Sequence, residues 1–543
     1  MIHRHFVYAL SKNANLLARC RLYSKHTMTL QRIGAIDQGT TSTRFMVFDA
    51  STLRPLATHQ VCHKQIFPQP GWVEQDPMEI LGNAITCLKE SCKDINQLEC
   101  VGITNQRETV VVWDKETGAP LYNAITWNDV RTAKDVQSFV TEECNGDHNI
   151  FREACGLPVS TYFSAMKLRW LIKNVPEVVD AMARGVCMFG TVDSWLIWNL
   201  TGGTNGGVHA TDVTNASRTM LMNIKTHAWD DELIKSTGVG KDIILPEIKS
   251  CAEIYGYIMP TKENGIPEWM SKVPISGCVG DQQSACIGQR CFEPGDIKNT
   301  YGTGCFMLMN TGTLPVTSKH GLLTTVCYQF GQNPPVYALE GSVAVAGSGI
   351  RWLCDNMNLV ENNDQVESVA RTVNNTAGVY FVPAFSGLFA PHWRPDARGV
   401  IVGLTQYVTR AHVVRALLES ICHQSVDVID AMVNDTHIAV HSVHVDGGMS
   451  INSLIMQIQA DLLGRNVIRP AFLETTVLGA AISAAIGVNV YNGVDEIPKC
   501  NGSENVTFEP EIDGPTRGKK KRRWDMAVQR SLAWHVDGDE EFE

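Results

Sequence analysis

Ile33-Gly34-Ala35-Ile36-Asp37-Gln38-Gly39-Thr40-Thr41-Ser42-Thr43-Arg44-Phe45-Met46-Val47-Phe48-Asp49 sets two apolar runs around a polar turn that contains a glycine, the pattern of a β-hairpin. Gly39 permits close backbone approach, the hydroxyls and amides of Thr40, Thr41 and Ser42 suit phosphate oxygens, and Arg44 brings neutralising charge. Asp37, a hard oxygen donor at a strand end, suits Mg2+ held through water. Alone, the same turn also fits the solvated tip of an ordinary hairpin. A similar event recurs where Pro274-Ile275-Ser276-Gly277-Cys278-Val279-Gly280 runs into Asp281-Gln282-Gln283, so each half of the chain is expected to open with a buried strand ending in Asp-Gln.

Between and beyond these points, strand-like runs such as 187–192 alternate with helical stretches such as 166–174, which argues for an α/β class with mixed sheets covered by helices. Val414, Leu417, Leu418 and Ile421 carry the i, i+3, i+4, i+7 spacing of a core-facing helix over 411–433. A second helix is predicted over 450–463, with Asn452 near its start and Gly464 as its stop. At 543 residues the chain is too long for one ordinary core, so two domains with a cleft between them are expected. A net charge of −11 disfavours a general nucleic-acid surface, and no run approaches the ~18 apolar residues of a membrane span. The 17 cysteines show no C-x-x-C pair and no zinc spacing, which fits buried thiols in a reducing compartment.

Three further glycine turns add to the first. Asn299-Thr300-Tyr301-Gly302-Thr303-Gly304-Cys305-Phe306 is a second Gly/Thr turn, and Asp446-Gly447-Gly448-Met449-Ser450-Ile451-Asn452 is a glycine pair leading into a helix start, where free amides attract anions. Ala346-Gly347-Ser348-Gly349-Ile350 fits a phosphate turn or an ordinary close-packing site. None matches G-x-x-x-x-G-K-[ST], which argues against a P-loop enzyme. Such turns, with hydroxyls and carboxylates, are what phosphoryl transfer needs: positioning, charge stabilisation and a metal.

From about Ile33 to Leu532 the chain resembles the FGGY carbohydrate kinases. Tyr162-Phe163-Ser164-Ala165-Met166-Lys167-Leu168-Arg169-Trp170-Leu171-Ile172-Lys173-Asn174 is similar to the family's first signature. Gly399-Val400-Ile401-Val402-Gly403-Leu404, followed by His412-Val413-Val414-Arg415-Ala416-Leu417-Leu418-Glu419, is similar to its second. Gly102-Ile103-Thr104-Asn105-Gln106-Arg107-Glu108-Thr109 resembles the branch that phosphorylates glycerol, as do Phe67-Pro68-Gln69-Pro70-Gly71-Trp72-Val73-Glu74-Gln75-Asp76 and Thr211-Asp212-Val213-Thr214-Asn215-Ala216-Ser217-Arg218.

The resemblance implies two ribonuclease H-like, actin-type domains with ATP and substrate in the cleft, and transfer of the γ-phosphoryl group of MgATP to glycerol. It implies that Arg107, Glu108 and Tyr162 bind glycerol hydroxyls, that Trp127 and Phe306 wall the carbon backbone, and that Gln282 orients the acceptor. Asp281 is the expected general base and, with Asp37, a metal ligand. Nucleotide contacts are expected at Thr40, Thr41, Ser42, Arg44, Gly302, Thr303, Gly347, Arg351, Gly448, Met449 and Asn452. Arg351 stands where many members carry Gln, and Met449 where a smaller residue is usual. Another sugar or polyol kinase of the family, or a non-catalytic actin-like ATP-binding protein, are the alternatives. The latter should have lost Asp37, Asp281 or the Arg107-Glu108 pair, and all four residues are present.

The expected division is a basic extension over 1–32, an N-terminal domain over 33–278 for acceptor and phosphate, a C-terminal domain over 279–510 for ATP, and a charged helix and tail over 511–543. The first 36 residues carry six Lys or Arg and no Asp or Glu, the composition of a mitochondrial presequence or of a disordered basic extension. Cytoplasm or mitochondrion is therefore the expected location. Glycerol and ATP are the expected ligands, and a homo-oligomer, dimer or tetramer, the expected assembly, with no nucleic acid and no transmembrane segment. Lys519-Lys520-Lys521-Arg522-Arg523 reads as a solvated helix end or a phosphate-binding signal.

Overall fold

The computed structural model describes residues 31–499 and 505–535. The bulk of the expected presequence (1–30), Cys20, Cys500 and the acidic tail beyond 535 lie outside the described residues.

The opening stretch folds as its pattern predicts. Arg32–Gln38 and Ser42–Asp49 pair antiparallel, with Asp37 opposite Arg44. Pro55–Cys62 continues the meander on one side, while Cys100–Asn105 lies parallel to Arg32–Gln38 on the other. Pro274–Gly280 then lies parallel to Cys100–Asn105, and Ala252–Tyr257 closes a six-stranded sheet. The inner parallel strands are buried along their length because both faces of the sheet are covered, which removes the alternation seen in half-exposed strands.

Pro274–Gly280 therefore does not open the second half of the molecule; it is an inner strand of the first sheet. The counterpart of the first hairpin is Ile297–Tyr301 with Cys305–Gly312, joined through Gly302 to Gly304. That pair repeats the arrangement within a seven-stranded sheet. Val336–Val343 and Leu323–Tyr328 extend it antiparallel on one side, and Val443–Asp446 and Val467–Arg469 lie parallel on the other, with Val506–Phe508 at the edge.

Helix Thr475–Gly487 joins the two halves. It is apolar around its circumference and is buried along most of its length. One side packs on the first sheet, where a Cβ on Gly102 would fall on the Ala480 carbonyl and one on Gly277 would strike the Ala484 backbone. Another side crosses helix Asp281–Gly288, where a Cβ on Gly479 would meet the Ser284 carbonyl. Backbone-to-backbone approach of this kind requires glycine and fixes the helix that carries Asp281.

The predicted helices form at Ser164–Asn174, Arg410–Thr436 and Ser453–Leu463. Helix Gly514–Ser531 buries Trp524, Ala527 and Val528, while Lys520 pairs with Glu419 at 2.9 Å and Lys521 with Asp427 at 3.1 Å. Part of the basic run is thus spent on acids of Arg410–Thr436. The fifteen described cysteines are free thiols, and all but Cys62 are buried. Among the described residues no helix is long and apolar enough to cross a membrane.

Candidate active site

Three neighbouring parallel strands end at one edge of the first sheet, with Asp37↔Thr104 and Gly280↔Asn105 in register. Their carboxyl ends deliver Asp37, the segment Gln106 to Thr109, and Asp281, the position where open α/β sheets place ligands. Glu108 holds a left-handed backbone, φ 59°, although it is not glycine. Such a conformation is uncommon for a side-chain-bearing residue and persists where surrounding contacts over-determine it.

Those contacts are ionic and dry. Arg107 donates from Nη1 to Glu340 Oε2 at 2.6 Å and from Nη2 to Glu340 Oε1 at 3.1 Å. Arg218 donates from Nε to Glu108 Oε1 at 2.6 Å and from Nη2 to Glu340 Oε1 at 3.1 Å. All four residues are at most 3% exposed. Burial alone would push Glu340 up, but Arg107 and Arg218 draw it down to about 2. Burial raises Glu108 despite the same two arginines.

Arg107 Nε faces Asp281 Oδ1 at 3.2 Å, and Asp281 keeps some solvent exposure at the start of its helix. Burial raises the Asp281 pKa against the pull of Arg107 and Lys298. Gln282 donates its backbone N–H to Asp281 Oδ1 at 2.7 Å and accepts from the buried Lys298 through its side-chain oxygen. Burial lifts Asp37 to about 7; Arg44 opposes the rise, and Asp281 and Glu474 add to it. Two carboxylates that repel each other at one sheet edge suit a bound cation.

An apolar wall stands beside this charge. Trp127 lies edge-on to Phe306 with centroids 6.0 Å apart and to Tyr162 at 5.7 Å, so one aromatic comes from the second sheet and two from the first half. Burial raises the Tyr162 hydroxyl, which therefore stays protonated. Trp127 Nε1 donates to Thr40 Oγ1 at 2.9 Å, and Gln65 and Gln75 donate to the Thr40 carbonyl. The wall and the first glycine turn are thereby one construction.

The other glycine turns meet on the second half. Ala346 and Ser348 donate backbone N–H groups to the Thr303 carbonyl, and Gly347 donates to the Gly302 carbonyl. A Cβ on Gly347 would crowd that carbonyl and Met449 Sδ, and one on Gly447 would strike Tyr301, whereas Gly448 faces open space. Gly302, Thr303, Gly347, Gly448 and Met449 are thus brought together. Arg351 sits exposed on helix Gly347–Asp355. Asn452 caps Ser453–Leu463, accepting from Ile455 N–H at 3.1 Å, which occupies its side-chain oxygen. Thr41 is exposed at the first turn, and Ser42 Oγ accepts from Gln60. Arg44 is already engaged, by Gln60 and by an ion pair with Glu474 from the other half.

Arg218, Glu340 and Lys298 were not assigned to the site from the sequence, although Arg218 closes one of the family-like segments. Each is a charged residue that the fold buries; Glu340 lies within the mostly apolar strand Val336–Val343 and Lys298 within the buried strand Ile297–Tyr301. For Glu340 a charge inside an apolar strand was the available signal, since such residues are rarely buried unless paired.

Fold and site together define a two-domain α/β kinase that uses ATP. The chain belongs to the FGGY family of carbohydrate kinases: its N-terminal domain matches residues 32–288 and its C-terminal domain residues 297–488. Glycerol kinase of Acidiphilium cryptum is 49% identical over 506 residues, covering 92% of this chain and 99% of the relative. Glycerol kinase 1 of Streptomyces coelicolor is 50% identical over 508 residues, covering 92% and 98%. Among solved structures, Plasmodium falciparum glycerol kinase with ADP superposes with a TM-score of 0.86 at 40% identity, covering 93% of this chain and 98% of that one. Gluconate kinase from Lactobacillus acidophilus shares the fold, with a TM-score of 0.81 at 21% identity over 95% of this chain and all of that one.

Proposed function

We propose that this chain is a glycerol kinase, transferring the γ-phosphoryl group of ATP to a terminal hydroxyl of glycerol to give sn-glycerol 3-phosphate and ADP. The observation that carries the reading is the 3.2 Å approach of Arg107 Nε to Asp281 beside the Trp127–Phe306 wall. A small triol needs donors and acceptors on one side and carbon contact on the other. Arg107 donates to one hydroxyl, Glu108 accepts from a second, and Tyr162 and Gln282 complete the polar face. Asp281 takes the proton from the attacking hydroxyl as the O–P bond forms, so that the nucleophile sheds its charge while the γ-phosphoryl leaves ADP. The backbone amides and hydroxyls of Thr40 to Ser42 and the turn at Gly302 and Thr303 hold the phosphates in line.

Mg2+ belongs to this reading: bound with ATP, it neutralises phosphate charge, and Asp37 and Asp281 would hold it. The support is the pair of mutually repelling carboxylates delivered to one edge of the first sheet. The reading also includes a homo-oligomer, tested by light scattering, and mitochondrial delivery by the acid-free N-terminal extension, tested by fusing residues 1–36 to a reporter.

Coupled measurement of ADP release with glycerol, xylulose, ribulose and gluconate tests the acceptor. Glycerol is expected to give the highest kcat/KM. Preference for a sugar or sugar acid would replace it by that acceptor, and tight ATP binding without any transfer would point to a non-catalytic protein.

A further inference from the structure

The geometry points to Glu340 as a positioning residue for the acceptor: from the second sheet it clamps Arg107 so that only the Nε edge of that guanidinium is presented to a substrate hydroxyl. Glu340 lies in Val336–Val343, an inner strand paired on both sides, opposite Leu308 and Leu323, so its backbone is fixed. Its carboxylate engages both terminal nitrogens of Arg107, the fork geometry that locks a guanidinium plane. Nη1 also donates to Gln283 Oε1 at 3.2 Å, so the edge carrying Nε and the remaining Nη2 hydrogen is what is left toward Asp281 and the acceptor space. Arg218 braces the arrangement from behind, bonding Glu340 and Glu108 at once, so one carboxylate from the second half sets both acceptor-facing residues of the first.

A purely structural ion pair explains this less well. Buried charge pairs seldom stabilise more than apolar residues of the same size. Here one carboxylate holds two arginines that themselves serve the acceptor space, Arg107 toward Asp281 and Arg218 onto Glu108.

The inference rests on the glycerol reading, and the test separates the two. Steady-state constants for glycerol, propane-1,2-diol and propane-1,3-diol, with ATP also varied, are measured on the full chain and on E340Q. If Glu340 works through Arg107 on one hydroxyl, losing the residue and losing that hydroxyl are not additive. E340Q should lower kcat/KM for glycerol by about 30-fold or more, chiefly through KM, with the loss shrinking to about threefold for one of the diols. The KM for ATP should stay within about twofold, since uniform damage would move both substrates. Equal losses for all three acceptors, or an unchanged glycerol KM, would overturn the assignment. Should E340Q not fold, E340D takes its place, because a carboxylate drawn back by one methylene loosens the clamp without stranding two arginines. Absence of glycerol turnover in the unaltered chain would sink the acceptor reading itself.

Discussion

Arg107 Nε stands 3.2 Å from Asp281 Oδ1, although the two residues follow different strands of the first sheet and are far apart in sequence. A base and a donor so placed can share one acceptor hydroxyl, the base taking its proton and the arginine fixing its neighbour. The arrangement holds because Pro274–Gly280 lies next to Cys100–Asn105, and because helix Asp281–Gly288 is pinned from behind by Thr475–Gly487.

Asp37 should trade stability for function. Its folded pKa, about 7, lies above its unfolded value, so the fold loses stability as pH rises from the carboxylate range through 7. Asp37→Asn removes that loss and should stabilise the nucleotide-free protein at pH 8 by on the order of 1–2 kcal/mol, discounted for partial exposure, and by less at pH 5. Turnover should vanish. Thermal unfolding at both pH values, with an activity assay, checks this; an active or less stable variant at pH 8 contradicts it.

The Arg44–Glu474 ion pair must loosen for Arg44 to serve a phosphate. Glu474→Gln should therefore lower the KM for ATP by about two- to fivefold, the size expected from freeing a half-exposed charge. An unchanged KM would mean that Arg44 stays with the protein during turnover.

Lys167 is buried, donates to the Thr161 and Tyr162 carbonyls, and is pushed down by burial to about 7. Because its folded pKa lies below its unfolded value, the fold is penalised at low pH and gains stability as pH rises from 7 toward the ordinary lysine range. Lys167→Met removes the titration but leaves both carbonyls unpaired. The margin of the unaltered chain over the variant should therefore widen by about 2 kcal/mol between pH 6 and pH 9 in denaturant titrations. A constant margin would show that Lys167 does not titrate there.

Alanine at an interior helical glycine ordinarily stabilises by up to about 1 kcal/mol. Gly479→Ala should do the opposite, because the added methyl would fall on the Ser284 carbonyl of the helix that begins with Asp281. A loss of about 2 kcal/mol or more, with kcat reduced more than the KM for ATP, is the expected result in unfolding and kinetic measurements. A stabilised and fully active variant would show that this crossing tolerates displacement.

Local pattern carried much of this structure. The hairpin at 33–49, the helix over 411–433 and the stop at Gly464 are each written in neighbouring residues, and each forms where the pattern places it. Pro274–Gly280 reads locally like a second opening strand, yet its partner is Cys100–Asn105, a non-local pairing that periodicity does not encode. The duplication became visible only in the pairing of Ile297–Tyr301 with Cys305–Gly312. The site divides in the same way. Arg107, Glu108, Trp127, Tyr162, Asp281 and Phe306 were named from motifs and resemblance, and the fold gathers them. Glu340 and Lys298 carry no motif, and Arg218 closes a family-like segment that does not announce its role, because a residue that acts by holding another needs only to arrive at the right depth. Asn452 near a helix start was legible, and it forms that cap, whereas the ion pair of Arg44 with Glu474 joins residues far apart in sequence and leaves no local trace.

The central claim, that Asp281 is the base for an acceptor held by Arg107 and Glu108, is tested most directly by Asp281→Asn assayed for glycerol-dependent ADP release, with ADP binding followed in parallel by calorimetry. Turnover should fall by about 10³-fold or more while ADP binding stays within about threefold, since the base is lost and the nucleotide turns are untouched. Turnover within about tenfold of the unaltered chain would contradict it.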